Sequence, residues 1–440
     1  MKIYFIFTVG KSPEPIIYSI DELLKRYDDI EYYALVSRES IDTLGVVSNK
    51  LGGIGFHQYV IENPEDFDEC IKATYEAAAE VLKRWEEEKG MIIIDYTGGT
   101  KPMASSLVYV AYQVFPQFVL RYIGGIRRDE HGRVISGSEK TVEISGVNRA
   151  LLLKARDFYM NFNLHRSYEL LYNCAESMKS EYYSVLSNFI YSLIYRDQFD
   201  YKMANDILNR FSRRFKIYSD EAIFSKNVAK FFRQVLDTQK NISLIYGVLK
   251  ILSQFKEKKS VNECSKIVEK ITSREEYIDG FELLLIDFYL NILRRLRLNE
   301  ILRACVLTYR LYELLTQYIL IVKYRISPTY IDWSKLDKNV VKCMGLKSLP
   351  EHLDLQRSLD LLKCLNDEII NILDLNLLRK VQFERNYSLI EHGFSSVRRK
   401  IIEESIENLY KAMKKCIKDI DSRVEKLKFP KITDEVLQPM

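Results

Sequence analysis

The chain has little of what staples small secreted or metal-held proteins together. Its seven cysteines, Cys70, Cys174, Cys264, Cys305, Cys343, Cys364 and Cys416, are scattered through 440 residues, odd in number and without a Cys-x-x-Cys pair. That spacing argues against a zinc site and against a disulfide framework, so reduced, mostly buried thiols are expected. No uninterrupted apolar run has the length of a bilayer span. The first residues enter a strand-like run, Lys2-Ile3-Tyr4-Phe5-Ile6-Phe7, with no cleavable secretory pattern before it. A cytoplasmic protein without a membrane partner is expected. There is no convincing internal repeat, and a chain of this length calls for two or three domains.

What is present changes character near residue 150. Before it, strand-like runs (Ile3 to Phe7, Tyr32 to Val36, Tyr59 to Ile61, Met91 to Ile94, Phe118 to Ile123) alternate with helical ones (Ile16 to Tyr27, Phe67 to Glu87, Met103 to Val114). This is the alternation of a parallel, Rossmann-like α/β sheet with helices on both faces. The run from Arg127 to Arg133 reads as a hairpin tip between Leu120 to Gly125 and Val134 to Ile144. After Asn148 the period is helical and glycine and proline become scarce, so the fold class is α/β followed by all-α. Polar stretches at 257–262 and 272–276 divide the helical part into a connector, residues 151–279, and a C-terminal domain, residues 280–440. Ser327-Pro328 and Ser348-Leu349-Pro350 mark a loop-rich insertion in the latter. Residues 1–150 carry 17 Lys and Arg against 23 Asp and Glu, a net of −6, while residues 151–440 carry 48 against 38, a net of +10. The helical part is the better candidate for a polyanion partner, although ten charges spread over many helices also suit a plain solvated surface.

Ile92-Ile93-Ile94-Asp95-Tyr96-Thr97-Gly98-Gly99-Thr100-Lys101-Pro102-Met103 is the most informative stretch. A buried-strand run ends in small residues, and a helix opens at Pro102, where the missing N–H costs nothing. Paired glycines free the backbone, and the hydroxyls and Lys101 supply phosphate-compatible groups, so the loop reads as an anion cradle at a helix N-terminus. Val9-Gly10-Lys11-Ser12 ends like a Walker A loop, but the upstream glycine that motif needs falls on Phe5, which excludes P-loop ATP hydrolysis. Both loops follow strands of one sheet, and ligands collect at the carboxyl ends of such strands. The alternative is that both are merely tight turns.

The C-terminal part contains Glu384-Arg385-Asn386-Tyr387-Ser388-Leu389-Ile390-Glu391-His392-Gly393. An Arg followed by a His after four to six intervening residues occurs nowhere else in the chain. If the segment is helical, the two side chains share a face, about 10 Å apart along the axis. Arg offers a planar fork for phosphate oxygens and His moves protons near neutrality. A His before Gly is equally a helix C-cap. From Ile301 to Val322 the chain is apolar nearly throughout, except for Arg303, Arg310 and Gln317 at seven-residue intervals and Glu313 beside them. That polar line faces solvent or a polar site, and in the second case Glu313 is placed to orient Arg385.

Together these residues carry a family resemblance. Thr8-Val9-Gly10-Lys11-Ser12-Pro13-Glu14-Pro15 and Asp95 to Met103 resemble the two signature loops of CARF domains, the CRISPR-associated Rossmann-like sensors. Arg385-Asn386 to His392-Gly393 resembles the active motif of HEPN ribonucleases, and the order along the chain resembles the CARF–HEPN effector ribonucleases of type III CRISPR systems. The resemblance implies a homodimeric endoribonuclease that cleaves single-stranded RNA through the ribose 2′-hydroxyl, without metal or cofactor. Its activator is a cyclic oligoadenylate, the tetra-adenylate ring preferred, bound across the two-fold axis. Thr8, Gly10, Lys11, Ser12, Thr97, Gly98, Gly99, Thr100 and Lys101 would bind the ring. Arg385 would stabilise phosphate charge, His392 would transfer protons or contact phosphate, and Asn386 would position the motif. Slow cleavage of the ring by the sensor stands as an option beside simple binding. The rival readings are a ligand-responsive transcription regulator, for which no helix-turn-helix signature is evident, and a non-catalytic binding scaffold.

Overall fold

A computed structural model describes residues 1–437 apart from 116–117, 128–129, 131–133, 136, 145–146, 259, 347 and 389–394, and apart from the side chains of 144 and 147–150. Contacts divide the chain into two compact units, residues 1–155 with 169–183, and residues 156–168 with 184–440.

The first unit holds a six-stranded sheet built from β1 (Ile3–Thr8), β2 (Ile30–Ser37), β3 (His57–Ile61), β4 (Met91–Asp95), β5 (Val119–Gly125) and β6 (Glu139–Ile144), in the order β3-β2-β1-β4-β5-β6. All neighbours are parallel except β5 and β6. Helices α1 (Glu14–Leu24), α2 (Ile41–Lys50), α3 (Phe67–Glu87) and α4 (Lys101–Val114) make the crossovers. Every residue of β1 is buried, as expected of a central strand covered on both faces. Ile3, Phe5 and Phe7 pack with Ile16 and Ile20 of α1 and Leu44 and Val47 of α2. Tyr4 points to the other face, where its hydroxyl donates to Arg84 O and Glu88 O at the end of α3 and beyond it. Because the chain moves outward from β1 through β2 to β3 and then returns to β4 on β1's other side, a crevice opens at the carboxyl ends of β1 and β4. The anticipated hairpin pairs β5 with β6; most of its anticipated tip, residues 128–129 and 131–133, lies outside the described residues.

The remainder is helical: α5 (Val147–Met160), α6 (Leu164–Met178), α7 (Glu181–Asp197), α8 (Tyr201–Tyr218), α9 (Lys226–Leu252), α10 (Val261–Thr272), α11 (Glu275–Arg297), α12 (Ile301–Tyr318), α13 (Lys338–Cys343), α14 (Leu355–Cys364), α15 (Ile369–Ile372), α16 (Leu375–Asn386), α17 (Arg399–Cys416) and α18 (Ile420–Leu427). Within the second unit α11 packs on α9 and α12, and α12 carries α16 and α17. Gly280 lies inside α11, where a Cβ would overlap Leu244 O and stand 3.3 Å from Val248 Cγ1, so glycine lets α11 approach α9 closely. A buried ionic cluster ties the unit together: Arg196 Nη2 donates to Asp287 Oδ1 at 2.8 Å and Tyr201 donates to Asp287 Oδ2 at 2.9 Å.

One expectation is corrected here. Cys343 and Cys364 form a disulfide, because α13 and α14 end side by side with those Cα atoms 5.7 Å apart; the separation of 21 residues gave no sign of it. The other five cysteines are free. In length and composition Ile301–Lys323 suffices to cross a membrane. Its burial is that of a core helix, with Ala304, Cys305, Leu311, Tyr312 and Leu315 fully enclosed.

Candidate functional site

In the first unit the two loops meet at the crevice. Thr8 at the end of β1 donates its hydroxyl to Gly98 O at 2.6 Å. A Cβ on Gly10 would stand 2.9 Å from Gly99 N, and one on Gly98 would overlap Thr8 O. These two glycines therefore allow backbone to pack on backbone, and only Gly99, at φ +79°, needs glycine for its conformation. Thr97 donates its hydroxyl to Asp95 and accepts from Ile123 N at 2.8 Å. Thr100 caps α4 through Met103 N and donates to Pro64 O at 2.5 Å. All nine residues anticipated as ligand-binding lie in the two loops, but the three threonine hydroxyls are engaged in shaping them. Lys11, Ser12, Gly99 and Lys101 are exposed. Lys11 pairs with Glu39 at 2.8 Å, a contact that solvent keeps weak, and Lys101 opens the first turn of α4, where the helix dipole also favours an anion.

Asp95 is a residue that sequence reasoning passed over. Its buried carboxylate accepts from Ser19 Oγ at 2.5 Å and from Thr97 N at 2.9 Å, and so braces the loop against α1. Burial raises its pKa above the ordinary carboxylate value, against the hydrogen bonds of Ser19 and Thr97 and the charge of Arg121. An acidic residue ending an Ile-rich strand was the available signal.

In the second unit Arg385 and Asn386 end α16, a helix capped at its start by Asp374. The helix stops there because Ser388 turns back on it: Ser388 Oγ and N both reach Arg385 O, at 2.7 and 3.2 Å. The continuous helix considered for 385–392 is thus not formed, and His392 lies outside the described residues. The flanking residues are joined, since Ser388 and Ser395 form a bridge and Ser395 N donates to Tyr387 O at 3.0 Å. Glu384, buried, accepts from Arg398 N at 2.9 Å and Nε at 2.7 Å, tying the start of α17 to α16.

The half-buried Arg385 guanidinium lies 4.2 Å from the ring centre of Tyr309 on α12. Glu313, expected to orient Arg385, binds Arg310 at 2.7 Å, because the two stand three residues apart on one helix face. The Tyr309 phenol is pushed up by burial first and by the Glu313 charge next, with Arg385 opposing. Tyr309 and the Glu384–Arg398 pair were missed; the first adjoins the polar stripe at Arg310, and nothing in sequence spacing linked the second. Among the described residues no three His, Cys, Asp or Glu side chains are grouped to hold a metal ion.

Residues 273–420 match the family described as the Csm6 HEPN domain. The whole chain is similar in fold to Csm6 of Enterococcus italicus in a structure bound to cyclic hexa-2′-fluoro-hexa-dAMP, with a TM-score of 0.50 at 12% identity and all of both chains covered. The fold is therefore that of the Enterococcus protein, with a HEPN-like segment in its C-terminal part. No curated protein sequence matches the chain. The switch-point crevice lies in the first unit, outside the matched segment, whereas α16 with Arg385 and Asn386 lies within it.

Proposed function

We propose that the chain is an endoribonuclease of CRISPR antiviral defence that a cyclic oligoadenylate activates and that cuts single-stranded RNA without a metal ion. The observation that carries this reading is the Csm6 HEPN match over residues 273–420, which contain the Arg385, Asn386 and His392 motif. We assign residues 1–150 to the sensor, 151–279 to a connector and 280–440 to the nuclease, in a cytoplasmic homodimer whose two motifs line one cleft. The ribose 2′-oxygen attacks the adjacent phosphorus and the P–O5′ bond breaks, leaving a 2′,3′-cyclic phosphate and a 5′-hydroxyl. Arg385, held by Tyr309, neutralises charge building on the phosphate oxygens. His392 moves a proton or contacts phosphate, and Asn386 positions the turn. The reaction needs only these groups, which is the basis for metal independence.

In the sensor, Lys101, Lys11, Ser12 and the backbone around Gly98 and Gly99 receive ring phosphates, while Thr8, Thr97 and Thr100 hold the loops in shape. Rings of four adenylates, favoured by the family resemblance, and of six, the size held by the Enterococcus protein, are the two to compare. For ring cleavage the loops expose only Lys101, Ser12 and Lys11, the last already paired with Glu39, so binding without cleavage is the stronger reading. Labelled RNA with each ring, with and without chelator, tests the proposal: cleavage should depend on ring, persist in chelator, and vanish in Arg385→Ala and His392→Ala. Equal cleavage by wild type and both variants would refute it. Incubating each ring with His392→Ala tests the sensor alone, and ring loss there would overturn the preference for binding.

A further inference from the structure

The second unit holds a preformed cavity of about 320 Å³ away from α16, between α11, the end of α5 and the segment that follows α18. Its wall contains Arg294, Arg297, Lys428 and Lys431 and, among the described residues, no Asp or Glu. The rest of the wall is apolar, with Phe162 and Phe429 meeting at 6.1 Å between ring centres. The volume is at the lower end of small-molecule sites and suits one nucleotide rather than a strand.

The wall is fixed before any ligand arrives. The segment carrying Phe429 is anchored at both ends by buried side chains, Arg196 Nη2 donating to Leu427 O at 2.7 Å and Tyr159 donating to Pro430 O at 2.8 Å. Arg294, 5% exposed, lies 4.5 Å from the Phe429 ring centre and uses Nε on Asp197 at 2.9 Å. Its Nη2 has no hydrogen-bond acceptor among the described residues, with Asp287 Oδ1 at 3.9 Å. A buried guanidinium with an idle donor is costly unless an acceptor completes it. Arg297 lies 5.1 Å from the Phe162 ring centre, which leaves an exposed guanidinium plane of the kind on which bases stack. Phe162 itself is held at φ +60°, where a bulky side chain is disfavoured and either neighbour, Asn161 or Asn163, would fit more easily.

We propose that this cavity is a second ligand site, distinct from both loops and motif, and that it takes a nucleoside phosphate, with phosphate on the Arg294, Arg297 and Lys431 side and the base against Arg297, Phe162 and the apolar wall. The source is either a free nucleotide or the terminal nucleotide of an RNA strand. The proposal does not depend on ribonuclease activity.

Calorimetry on the full chain with AMP, ATP, adenosine and a short 5′-phosphorylated RNA tests it. Nucleoside phosphates should bind and adenosine should bind more weakly. Arg297→Glu and Lys431→Glu, both at exposed positions and so tolerated by the fold, should each weaken binding about 10-fold or more. Phe162→Gly, which relieves the backbone while deleting the ring, should fold and bind less. AMP binding identifies the free nucleotide as ligand; RNA binding without AMP binding, lost in the same variants, identifies the strand end. Absence of binding by every phosphate-bearing probe, or binding unchanged in the Arg297→Glu/Lys431→Glu double variant, would overturn the proposal.

Discussion

Gly98→Ala should disable the sensor through a single methyl group. The added Cβ would overlap the Thr8 carbonyl oxygen and stand 3.1 Å from Gly10 N, and both obstacles are backbone, which cannot rotate away. The loops must part by roughly 1 Å to restore van der Waals contact. The Thr8 Oγ1 to Gly98 O bond, now 2.6 Å, then stretches beyond useful length and leaves a buried hydroxyl unsatisfied, which costs about 1–3 kcal/mol. Overpacking adds a further 1–3 kcal/mol or so, for a total of about 2–6 kcal/mol. In a domain of this size that corresponds to a fall of roughly 4–24 °C in its unfolding temperature. Because the same two loops present Lys101 and Ser12, affinity for the activator should fall with stability. The assay is calorimetric titration with four- and six-membered rings beside a thermal melt. Unchanged affinity together with an unfolding temperature within a degree of wild type would refute the packing argument and the loop assignment with it.

Lys101→Ala lies on an exposed first turn and should leave the melt unchanged while weakening ring binding about 10-fold, the loss of one charge-assisted contact; equal affinity in calorimetry would remove Lys101 from the site. Tyr309→Leu should keep α12 packed but release Arg385, lowering kcat for RNA about 3- to 30-fold, the range of a partly desolvated cation–π contact, whereas a change in KM alone would mean that Tyr309 serves binding instead. Asp287→Asn should cost about 3–5 kcal/mol in urea denaturation, because Arg196 stays buried without its anion. Burial pushes the Asp287 carboxyl up, but Arg196, Arg294 and the Tyr201 hydroxyl bring it below its ordinary value. Its contribution is therefore complete above about pH 4 and fades as pH falls through the lower folded value; wild type should lose this part of its stability in acid, and the variant should show no such loss.

What the sequence made legible was local, and what it hid was contact between distant segments. The strand runs from Ile3 and Ile92 declared themselves because a central parallel strand is buried on both faces and so reads as an unbroken apolar stretch. Helix α3 spans the residues expected of it, Phe67–Glu87, and the structure adds Asp66 as its cap, accepting from Asp68 N and Glu69 N. The nine loop residues were singled out by their chemistry, yet chemistry alone does not separate a hydroxyl that faces a ligand from one that faces its own backbone. Thr8, Thr97 and Thr100 satisfy atoms contributed by residues 98, 123 and 64, and no spacing rule connects those positions. The same limit applies to Arg385, whose expected partner Glu313 is one turn along α12 from the residue that receives it, Tyr309. A motif therefore identifies which side chains have reactive chemistry, while the fold decides which of them remain free to use it. In this chain that division leaves Lys101, Lys11 and Ser12 exposed in the sensor loops and Arg385 against Tyr309 in the HEPN domain. Those are the positions at which substitution should change function without changing the fold.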